Sequence, residues 1–241
     1  MKLSIITTCK GRIHHLKQTL PRMMFQWDVK PNSYEVVVVD YGDPDNSYTW
    51  AYREAQKMKF KNLIAVKVFN NIKLWNPGRA RNIGARQSSG DILFFVDADI
   101  KLGKTDVRTV VDVFERENCV IWRRDIFAGA KGDTNGTFAC TRESFFIVNG
   151  FNEIGTGWCL EDIDLFRRYE CFRRSSIIKD GDLKISVIRH GRDLRTKYSG
   201  YENTKANRDD GVRKFQNTMN NVNPKGWGNG KIKVLRNADI S

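Results

Sequence analysis

Two carboxylates separated by one small residue follow an apolar run of the sequence. Asp97 and Asp99 flank Ala98 and come directly after residues 92–96, Ile-Leu-Phe-Phe-Val, which are typical of a buried strand. Carboxylates at a strand end can hold one hard divalent cation, directly or through water, and leave coordination positions for phosphate oxygens. Such a cation would neutralise the charge on a departing diphosphate. The alternative is a solvated turn, because this spacing of aspartates is common by chance.

A second group of carboxylates begins a predicted helix at residues 161–173. Glu161, Asp162 and Asp164 lie in its first turn, where the helix dipole favours anions and mutual repulsion can raise the pKa of one carboxyl. A carboxylate beside an acceptor hydroxyl can remove its proton while a leaving group departs from the opposite face. These residues are therefore candidates for a general base. The alternative is a charged helix start that only caps itself.

A turn, a predicted helix start and two arginines come together in residues 76–84, Asn-Pro-Gly-Arg-Ala-Arg-Asn-Ile-Gly. Backbone N–H groups at a helix N-terminus suit the binding of a diphosphate, and so do the guanidinium groups of Arg79 and Arg81. A plain Pro-Gly turn with surface arginines is the alternative.

Three tryptophans lie in predicted loops. Trp75, Trp158 and Trp227 could each stack on a sugar face or a base, and core packing is the alternative. Trp227 belongs to the Gly-rich segment 223–230, for which we expect a mobile lid over the site.

The elements that position these residues alternate regularly along the chain. Predicted strands cover residues 3–8, 35–40, 63–69, 91–96, 120–123, 137–141 and 183–188. Predicted helices cover residues 12–27, 47–58, 79–87, 105–117 and 161–173. This order predicts an α/β fold with a parallel, doubly wound sheet, in which ligands bind beyond the carboxyl ends of the strands. The candidate site residues at such ends are Thr8, Asp40, Asp97 and Asp99.

Length, charge and composition narrow the possibilities. The 241 residues suffice for one α/β domain. With 41 Lys and Arg against 28 Asp and Glu, the formal charge of +13 favours a polyanionic partner such as nucleic acid, nucleotide phosphates or an anionic membrane face. No stretch approaches the roughly 18 apolar residues of a membrane span, so we expect a soluble, cytoplasmic protein. The five cysteines are widely spread without a C-x-x-C pair and are expected to be reduced core thiols. His14 and His15 are expected at the surface of the first helix.

Four motifs occur in order in the first half of the chain. They are residues 4–12 (Ser-Ile-Ile-Thr-Thr-Cys-Lys-Gly-Arg), 38–40 (Val-Val-Asp), 78–84 (Gly-Arg-Ala-Arg-Asn-Ile-Gly) and 97–99 (Asp-Ala-Asp). In these motifs and their spacing, the sequence resembles glycosyltransferase family 2, which has the GT-A fold. The resemblance implies a Rossmann-like, mostly parallel sheet flanked by helices, and a nucleoside-diphosphate sugar as donor.

The resemblance also implies which residues bind the donor and a metal ion. The donor-binding set comprises Thr7, Thr8, Asp40, Arg79, Arg81, Asp97 and Trp158. Within this set, Thr7 and Thr8 would line the nucleotide pocket, Asp40 would contact the base or the ribose, and one of the two arginines would approach the donor. Asp99 would hold the metal, and Asp97 would act on the ribose or on the metal, directly or through water.

The second half of the chain adds two further motifs. Residues 149–153 (Asn-Gly-Phe-Asn-Glu) and 157–165 (Gly-Trp-Cys-Leu-Glu-Asp-Ile-Asp-Leu) resemble the carboxyl-terminal galactosyltransferase signature, Gly-Gly-Phe-Asn-Glu and Gly-Trp-Gly-x-Glu-Asp-x-Asp-Leu. Asn149 and Cys159 stand where that signature has glycine, which bears on the shape of the acceptor pocket.

The same signature implies the acceptor site and a third metal ligand. It assigns Asp162 as the catalytic base and Glu161 to binding of the acceptor. One base with no evident covalent nucleophile implies inversion at the sugar carbon. The resemblance also places a metal-binding histidine near His190, and an imidazole beside two carboxylates favours Mn²⁺ over Mg²⁺. A histidine exposed in a basic loop is the alternative for His190.

The sequence therefore predicts an inverting, metal-dependent glycosyltransferase that moves a hexosyl or pentosyl group from a nucleoside-diphosphate sugar to an acceptor hydroxyl. The donor is expected to be a UDP-sugar. We expect residues 1–190 to form the GT-A catalytic domain and residues 191–241 a basic C-terminal extension or lid of the same unit. Two classes remain as alternatives. A nucleotidyltransferase also pairs carboxylates with a metal ion and a nucleotide, and a non-catalytic nucleic-acid-binding module explains the charge but leaves the carboxylates without a task.

The sequence leaves the acceptor open. One branch is a surface glycan, and the other is DNA that carries a hydroxymethylated base, which the basic region after residue 190 would suit. The second branch predicts DNA binding and DNA modification by a virus-encoded enzyme in a host cytoplasm. A duplex acceptor would need its target base flipped out.

Overall fold

Four apolar segments form the parallel centre of a sheet in the computed structural model. They are β1 (Leu3–Cys9), β2 (Tyr34–Asp40), β3 (Leu63–Val68) and β4 (Ile92–Phe95). β1 pairs with β2 on one side and with β4 on the other, and β3 extends the sheet beyond β2. Every residue of β1, β2 and β4 is buried, as expected for strands that helices cover on both faces. The predicted parallel arrangement is thus confirmed.

Helices cover both faces of this sheet within the residues that the structure describes. Those residues are 1–30, 32–69, 72–124, 134, 136–156, 160–172, 174–179, 181–191, 197, 213 and 221–237. On one face lie α1 (Ile13–Met24), α2 (Ser47–Lys57) and α4 (Asp106–Glu117). On the other face lie α3 (Pro77–Gln87), α5 (Arg142–Ile147) and α6 (Glu161–Tyr169). Across these ranges, no helix is long and apolar enough to cross a membrane.

Side chains that alternate along the strands divide the core between the two helical layers. Ile5 and Val38 pack in the cluster beneath α1, α2 and α4. Their chain neighbours Ile6 and Val39 pack in the cluster beneath α3, α5 and α6. Both layers therefore hold the carboxyl ends of β1 and β2 in place.

Further strands extend the sheet at both sides. β7 (Phe138–Thr141) runs antiparallel to β4, and β6 (Ile121–Arg123) and β8 (Ser175–Ile177) follow it outward. At the other edge, β10 (Ile232–Arg236) runs antiparallel to β3. The strand order is β10-β3-β2-β1-β4-β7-β6-β8, so the predicted fold class, a mostly parallel sheet between helices, is confirmed.

A separate two-stranded sheet lies beside the central one. It pairs β5 (Ile100–Lys101) with β9 (Ser186–Val187), so the predicted strand at 183–188 contracts to two residues. The predicted helix at 161–173 ends earlier, at Tyr169. The sequence did not predict β5, α5, β8 or β10.

The end of the described chain packs onto the domain. Trp227, which the sequence places in a mobile lid, is 4% exposed and packs against the rings of Phe145 and Phe146, with centroids 5.5 Å and 4.9 Å away. The guanidinium of Arg86 lies 4.4 Å from the centre of its ring. The prediction for Trp227 is therefore wrong, because two phenylalanines of α5 and the Arg86 side chain of α3 enclose the indole.

We expect Trp227→Ala to lower the free energy of unfolding by about 3–5 kcal/mol, because it leaves a large cavity between two helices. Urea denaturation measures this change. Trp27→Ala is the matched control, since Trp27 is 47% exposed and contacts Lys104 at the surface. The control should lose less than about 1 kcal/mol. Equal losses in the two variants would contradict the core position of Trp227.

The predictions for His15 and Cys171 also need correction. His15 is 3% exposed and lies on the buried face of α1, whereas His14 is exposed as expected. Burial lowers the pKa of His15 to about 4, which leaves its ring neutral at pH 7. Cys9, Cys119 and Cys140 are buried free thiols, but Cys171 is exposed. Cys159 lies outside the described residues.

Candidate active site

Arg81 joins carboxylates from two distant parts of the chain. One terminal nitrogen of its guanidinium donates to Asp97 Oδ1 and the other to Glu161 Oε1, each at 2.7 Å. The Arg81 side chain is 8% exposed, and its guanidinium lies 5.3 Å from the centre of the Phe151 ring. Asp97 follows β4, and Glu161 begins α6. The structure therefore brings together the two carboxylate groups that the sequence singled out.

The start of α3 explains how Arg81 reaches this position. Asn76 caps the helix, because its side-chain oxygen accepts from the backbone N–H of Arg79 at 2.8 Å, and Pro77 follows in the first turn. The predicted helix start is confirmed. Arg81 falls on the buried face of the helix, whereas Arg79 is half-exposed and donates to the backbone oxygen of Asn229 at 2.8 Å.

Asp99 and His190 face each other beside the small sheet, since Asp99 directly precedes β5 and His190 follows β9. His190 Nε2 lies 2.9 Å from Asp99 Oδ2, and both side chains are nearly enclosed. The pairing of β5 with β9 creates this contact, because the N–H of Ile188 donates to the backbone oxygen of Asp99. The alternative for His190, an exposed histidine in a basic loop, is thus not what the structure shows. Burial and the nearby Asp97 raise the pKa of Asp99, against the opposing effect of Arg12 and His190.

Arg12 completes this second cluster, a role that the sequence does not predict. A guanidinium nitrogen of Arg12 lies 3.3 Å from Asp99 Oδ2 and 3.2 Å from His190 Nε2. The ring of His15 packs 5.4 Å from that of His190, from the buried face of α1. A cation that bound to Asp99 and His190 would therefore have to turn Arg12 aside.

The donor atoms of Asp99 and His190 suit a divalent cation in chemistry and separation. Two ligands at roughly 2.1 Å from an octahedral ion lie about 3 Å apart when they are at right angles, close to the 2.9 Å between these atoms. Asp97, the third predicted ligand, is bound to Arg81 instead. Among the described residues, no group of three or more His, Cys, Asp and Glu side chains is arranged to hold a metal ion.

The three carboxylates at the start of α6 have separate surroundings. Glu161 is bound to Arg81, and Asp164 is bound to Arg168 at 2.7 Å on the same helix. Asp162 accepts the backbone N–H of Ile163, and within the described part of the chain its carboxylate has no ion-pair partner. Burial raises the pKa of Glu161 to about 7 and also raises that of Asp162, although the charge of Arg81 opposes both shifts.

The carboxyl ends of β1 and β2 carry the remaining predicted donor residues. Thr7 is fully buried, and its hydroxyl has no hydrogen-bond partner among the described residues, while Thr8 is 8% exposed. Asp40 is fully buried, and its two oxygens accept the backbone N–H groups of Asp43 and Tyr48. Because Asp40 is fully enclosed, a direct contact with a nucleotide would require the surrounding chain to move.

Lys10 holds the same region together, a role that the sequence does not predict. Its ammonium donates to the backbone oxygens of Tyr41, Gly42 and Ile72, the last at 2.7 Å. It therefore fastens the loop after β2 to the segment before α3. Its place inside the first motif, residues 4–12, was the available signal.

Two more residues support the site through close packing. Gly136 lies so near the Asp97–Arg81 pair that a Cβ there would collide with Asp97 and stand 2.7 Å from a nitrogen of Arg81. Asn82 exchanges two hydrogen bonds with the backbone of Phe151 and donates a third to Glu153. The position of Asn82 and Glu153 in the matching motifs signalled their importance, but nothing in the sequence signalled Gly136. Trp158 lies outside the described residues.

Comparisons with known proteins agree with this architecture. A sequence profile of glycosyl transferase family 2 matches residues 4–165. No curated protein sequence matches the chain. Among solved structures, a Staphylococcus aureus TarS fragment in complex with UDP-GlcNAc is similar, with a TM-score of 0.70 and 19% identity over 92% of this chain and 68% of that one. The chain covers 59% of another TarS fragment structure.

Two further structures were determined with manganese. The mannosyltransferase PcManGT from Pyrobaculum calidifontis, in complex with GDP-Man and Mn²⁺, has a TM-score of 0.62 and 16% identity over 74% of this chain and 55% of that one. A mutant of Drosophila β-1,4-galactosyltransferase 7, with manganese, UDP-Gal and xylobiose, has a TM-score of 0.57 and 13% identity over 94% of this chain and 82% of that one. At these identities the likeness shows the fold, which is GT-A.

Proposed function

The chain belongs to glycosyl transferase family 2, and from this premise we propose that it transfers a hexosyl or pentosyl group from a UDP-sugar to an acceptor hydroxyl, with inversion and with a divalent metal ion. The observation that carries the proposal is the contact of Arg81 with both Asp97 and Glu161. This contact puts the strand end proposed for the donor beside the helix start proposed for the acceptor. Donor and acceptor would therefore meet at one site.

We propose that Asp99 and His190 hold the metal ion, Mn²⁺ or Mg²⁺, and that Asp97 reaches it through water. A bound ion would neutralise the charge that develops on the departing diphosphate. The support is the facing pair of an imidazole nitrogen and a carboxylate oxygen. PcManGT and galactosyltransferase 7, which share the fold, have manganese in their structures.

The donor nucleotide is proposed to bind at the carboxyl ends of β1 and β2, along Thr7 and Thr8. Asp40 would support this pocket by holding the loop after β2, where it accepts two backbone N–H groups. Arg79 is proposed at the donor side as well, because it is half-exposed near the end of β2. The donor role predicted for Trp158 stays a prediction.

Asp162 is proposed as the general base that deprotonates the acceptor hydroxyl, with Glu161 binding the acceptor. The support is that Glu161 and Asp164 are each bound to an arginine, which leaves Asp162 as the carboxylate best able to accept a proton. A single base that acts without a covalent nucleophile would give inversion at the sugar carbon.

Incubation with a panel of nucleotide sugars and Mn²⁺ tests the proposed reaction. We expect one UDP-sugar to release free UDP without pyrophosphate, and EDTA to stop the release. Release of a sugar 1-phosphate in place of UDP would favour a nucleotidyltransferase. No consumption of any nucleotide sugar, together with tight binding of nucleic acid, would favour the non-catalytic binding module.

Two acceptors fit the proposal, a surface glycan and DNA that carries a hydroxymethylated base. The charge of +13 favours DNA, because a polyanion gains affinity from each phosphate that a Lys or Arg neutralises. Of the basic residues after position 190 that we would test, the structure describes Lys197, Arg213 and Lys225. Lys205, Arg208 and Lys214 lie outside the described residues.

If DNA is the acceptor, its affinity should fall by about 10³-fold or more between roughly 50 and 200 mM salt, as expected when six or more phosphates are contacted. Fluorescence anisotropy with a labelled duplex, repeated at several salt concentrations, measures how steeply the affinity falls. Charge reversal of Lys197, Arg213 and Lys225 should make this salt dependence weaker. Reversal of three exposed lysines elsewhere, Lys17, Lys59 and Lys61, controls for net charge. Absence of binding at about 50 mM salt would point to a glycan acceptor.

A further inference from the structure

We propose that Arg81 is a positioning residue, which fixes the donor-side carboxylate Asp97 relative to the first turn of α6 and does not bind the donor diphosphate. This inference rests on the proposed function, because it assigns a task within the same site. It departs from the expectation that either Arg79 or Arg81 approaches the donor.

The hydrogen bonds of Arg81 leave little capacity for a phosphate. Both terminal nitrogens donate to carboxylates at 2.7 Å, and the side chain is 8% exposed. A diphosphate oxygen could take one of these nitrogens only if it displaced Asp97 or Glu161. If Glu161 were displaced, its carboxylate, which is 11% exposed, would remain enclosed without its cation, and that is strongly unfavourable. If Asp97 were displaced, it would lose a charge-assisted hydrogen bond of 2.7 Å.

The pair of Arg81 and Asp97 is also closed by packing. On one side lies Gly136, where a Cβ would collide with Asp97. Beneath the guanidinium lies the ring of Phe151, which Asn82 ties to α3 by hydrogen bonds to its backbone. Side chains locked in this way hold a fixed geometry. Arg81 therefore has the surroundings of a structural link between β4 and α6.

The consequence for transfer follows from the two ends of this link. Asp97 belongs to the segment proposed for the donor and the metal, and Glu161 is the chain neighbour of the proposed base Asp162. A shift of about 1 Å between reacting groups can lower a rate by about 10²-fold. The planar guanidinium holds two carboxylates at once, which a lysine ammonium does less well.

Arg81→Lys tests the assignment, because it keeps the positive charge and removes the planar guanidinium that binds two carboxylates at once. We expect the dissociation constant for UDP, measured by calorimetry with Mn²⁺, to stay within about 3-fold of the parent, while kcat falls by about 10²-fold. Arg79→Lys is the comparison. We expect it to lose more UDP affinity than kcat, the reverse of Arg81→Lys. A loss of UDP affinity of about 10-fold or more in Arg81→Lys alone would overturn the assignment, since a phosphate-binding arginine behaves in that way.

A second variant keeps the test valid if Arg81→Lys does not fold. Gly136→Ala keeps the Arg81 side chain but pushes on both Asp97 and the Arg81 guanidinium, and we expect it to lower kcat by about 10-fold or more while circular dichroism shows a folded protein. A parent-like kcat in Gly136→Ala would overturn the assignment. A parent protein that binds no nucleoside diphosphate would overturn the proposed function and this assignment with it, whereas loss of UDP binding in Arg81→Lys alone leaves the proposed function standing.

Discussion

Asp162→Asn is expected to lower sugar transfer by about 10²–10⁴-fold and to leave the affinity for the UDP-sugar nearly unchanged. The substitution keeps the size of the side chain and removes the proton acceptor. Asp162 is the carboxylate of the first turn of α6 that has no ion-pair partner within the described residues, whereas Glu161 and Asp164 each bind an arginine. Turnover with the acceptor and calorimetry with the donor, measured side by side, separate a base from a ligand.

The pH dependence gives a second readout for the same variant. A carboxylate base works only when it is ionised, and burial raises the pKa of Asp162 above the ordinary range for aspartate. Transfer by the parent should therefore rise with pH through this raised pKa, and Asp162→Asn should lose that acidic limb.

Asp164→Asn is the matched control for the base. Asp164 lies in the same first turn of α6, but its carboxylate binds Arg168. It should lower stability and leave the turnover of the folded protein close to that of the parent. Parent-level transfer in Asp162→Asn would disprove the assignment, and lost donor binding would make Asp162 a structural or metal-supporting residue.

Asp99→Asn is expected to lower metal-dependent transfer by about 10²-fold or more, because a bound ion supplies several kcal/mol of charge stabilisation in the transition state. Asp99 faces His190 at 2.9 Å and is 5% exposed, so the similar shape of Asn keeps the packing around it. Titration with Mn²⁺, followed by calorimetry, should show weaker binding of the ion in the absence of any donor.

Asp106→Asn is the control for the metal assignment. Asp106 is also a buried carboxylate, but its oxygens accept the backbone N–H groups of Gly103 and Lys184. It should change stability and not the affinity for Mn²⁺. Undiminished transfer by the parent protein in EDTA would contradict the assignment of Asp99 as a metal ligand.

The spacing of apolar residues predicted the parallel strands at the centre of the sheet, because this signal lies within each short segment of the sequence. The buried runs of β1, β2 and β4 are continuous and apolar, and each is followed by a helix-spaced segment. β10 was not predicted, because its residues, Ile-Lys-Val-Leu-Arg, are half-exposed and form a strand by pairing with β3 at the edge of the sheet. The burial of Trp227 could not be predicted for the same reason, since the helices that enclose it are far away in the sequence.

The motifs predicted which residues meet at the site, but not how they pair. Asp99 and His190 are 91 positions apart, and Arg81 and Glu161 are 80 apart, so only the folded chain shows these contacts. The sequence could not show that Asp97 binds Arg81 or that Asp40 holds the backbone of its own loop. Those pairings depend on side-chain directions, which the spacing of residues does not encode.

Phosphorus NMR of the donor during turnover with Mg²⁺ tests the central claim, because it identifies the bond that is broken. Sugar transfer breaks the bond between the sugar carbon and the diphosphate oxygen. The two phosphorus signals of the UDP-sugar should therefore give way to those of free UDP, at a rate that depends on the metal ion, and Asp162→Asn should slow the change. Signals of UMP and a sugar phosphate would mean that a bond to phosphorus is broken, and they would contradict the assignment as a glycosyltransferase.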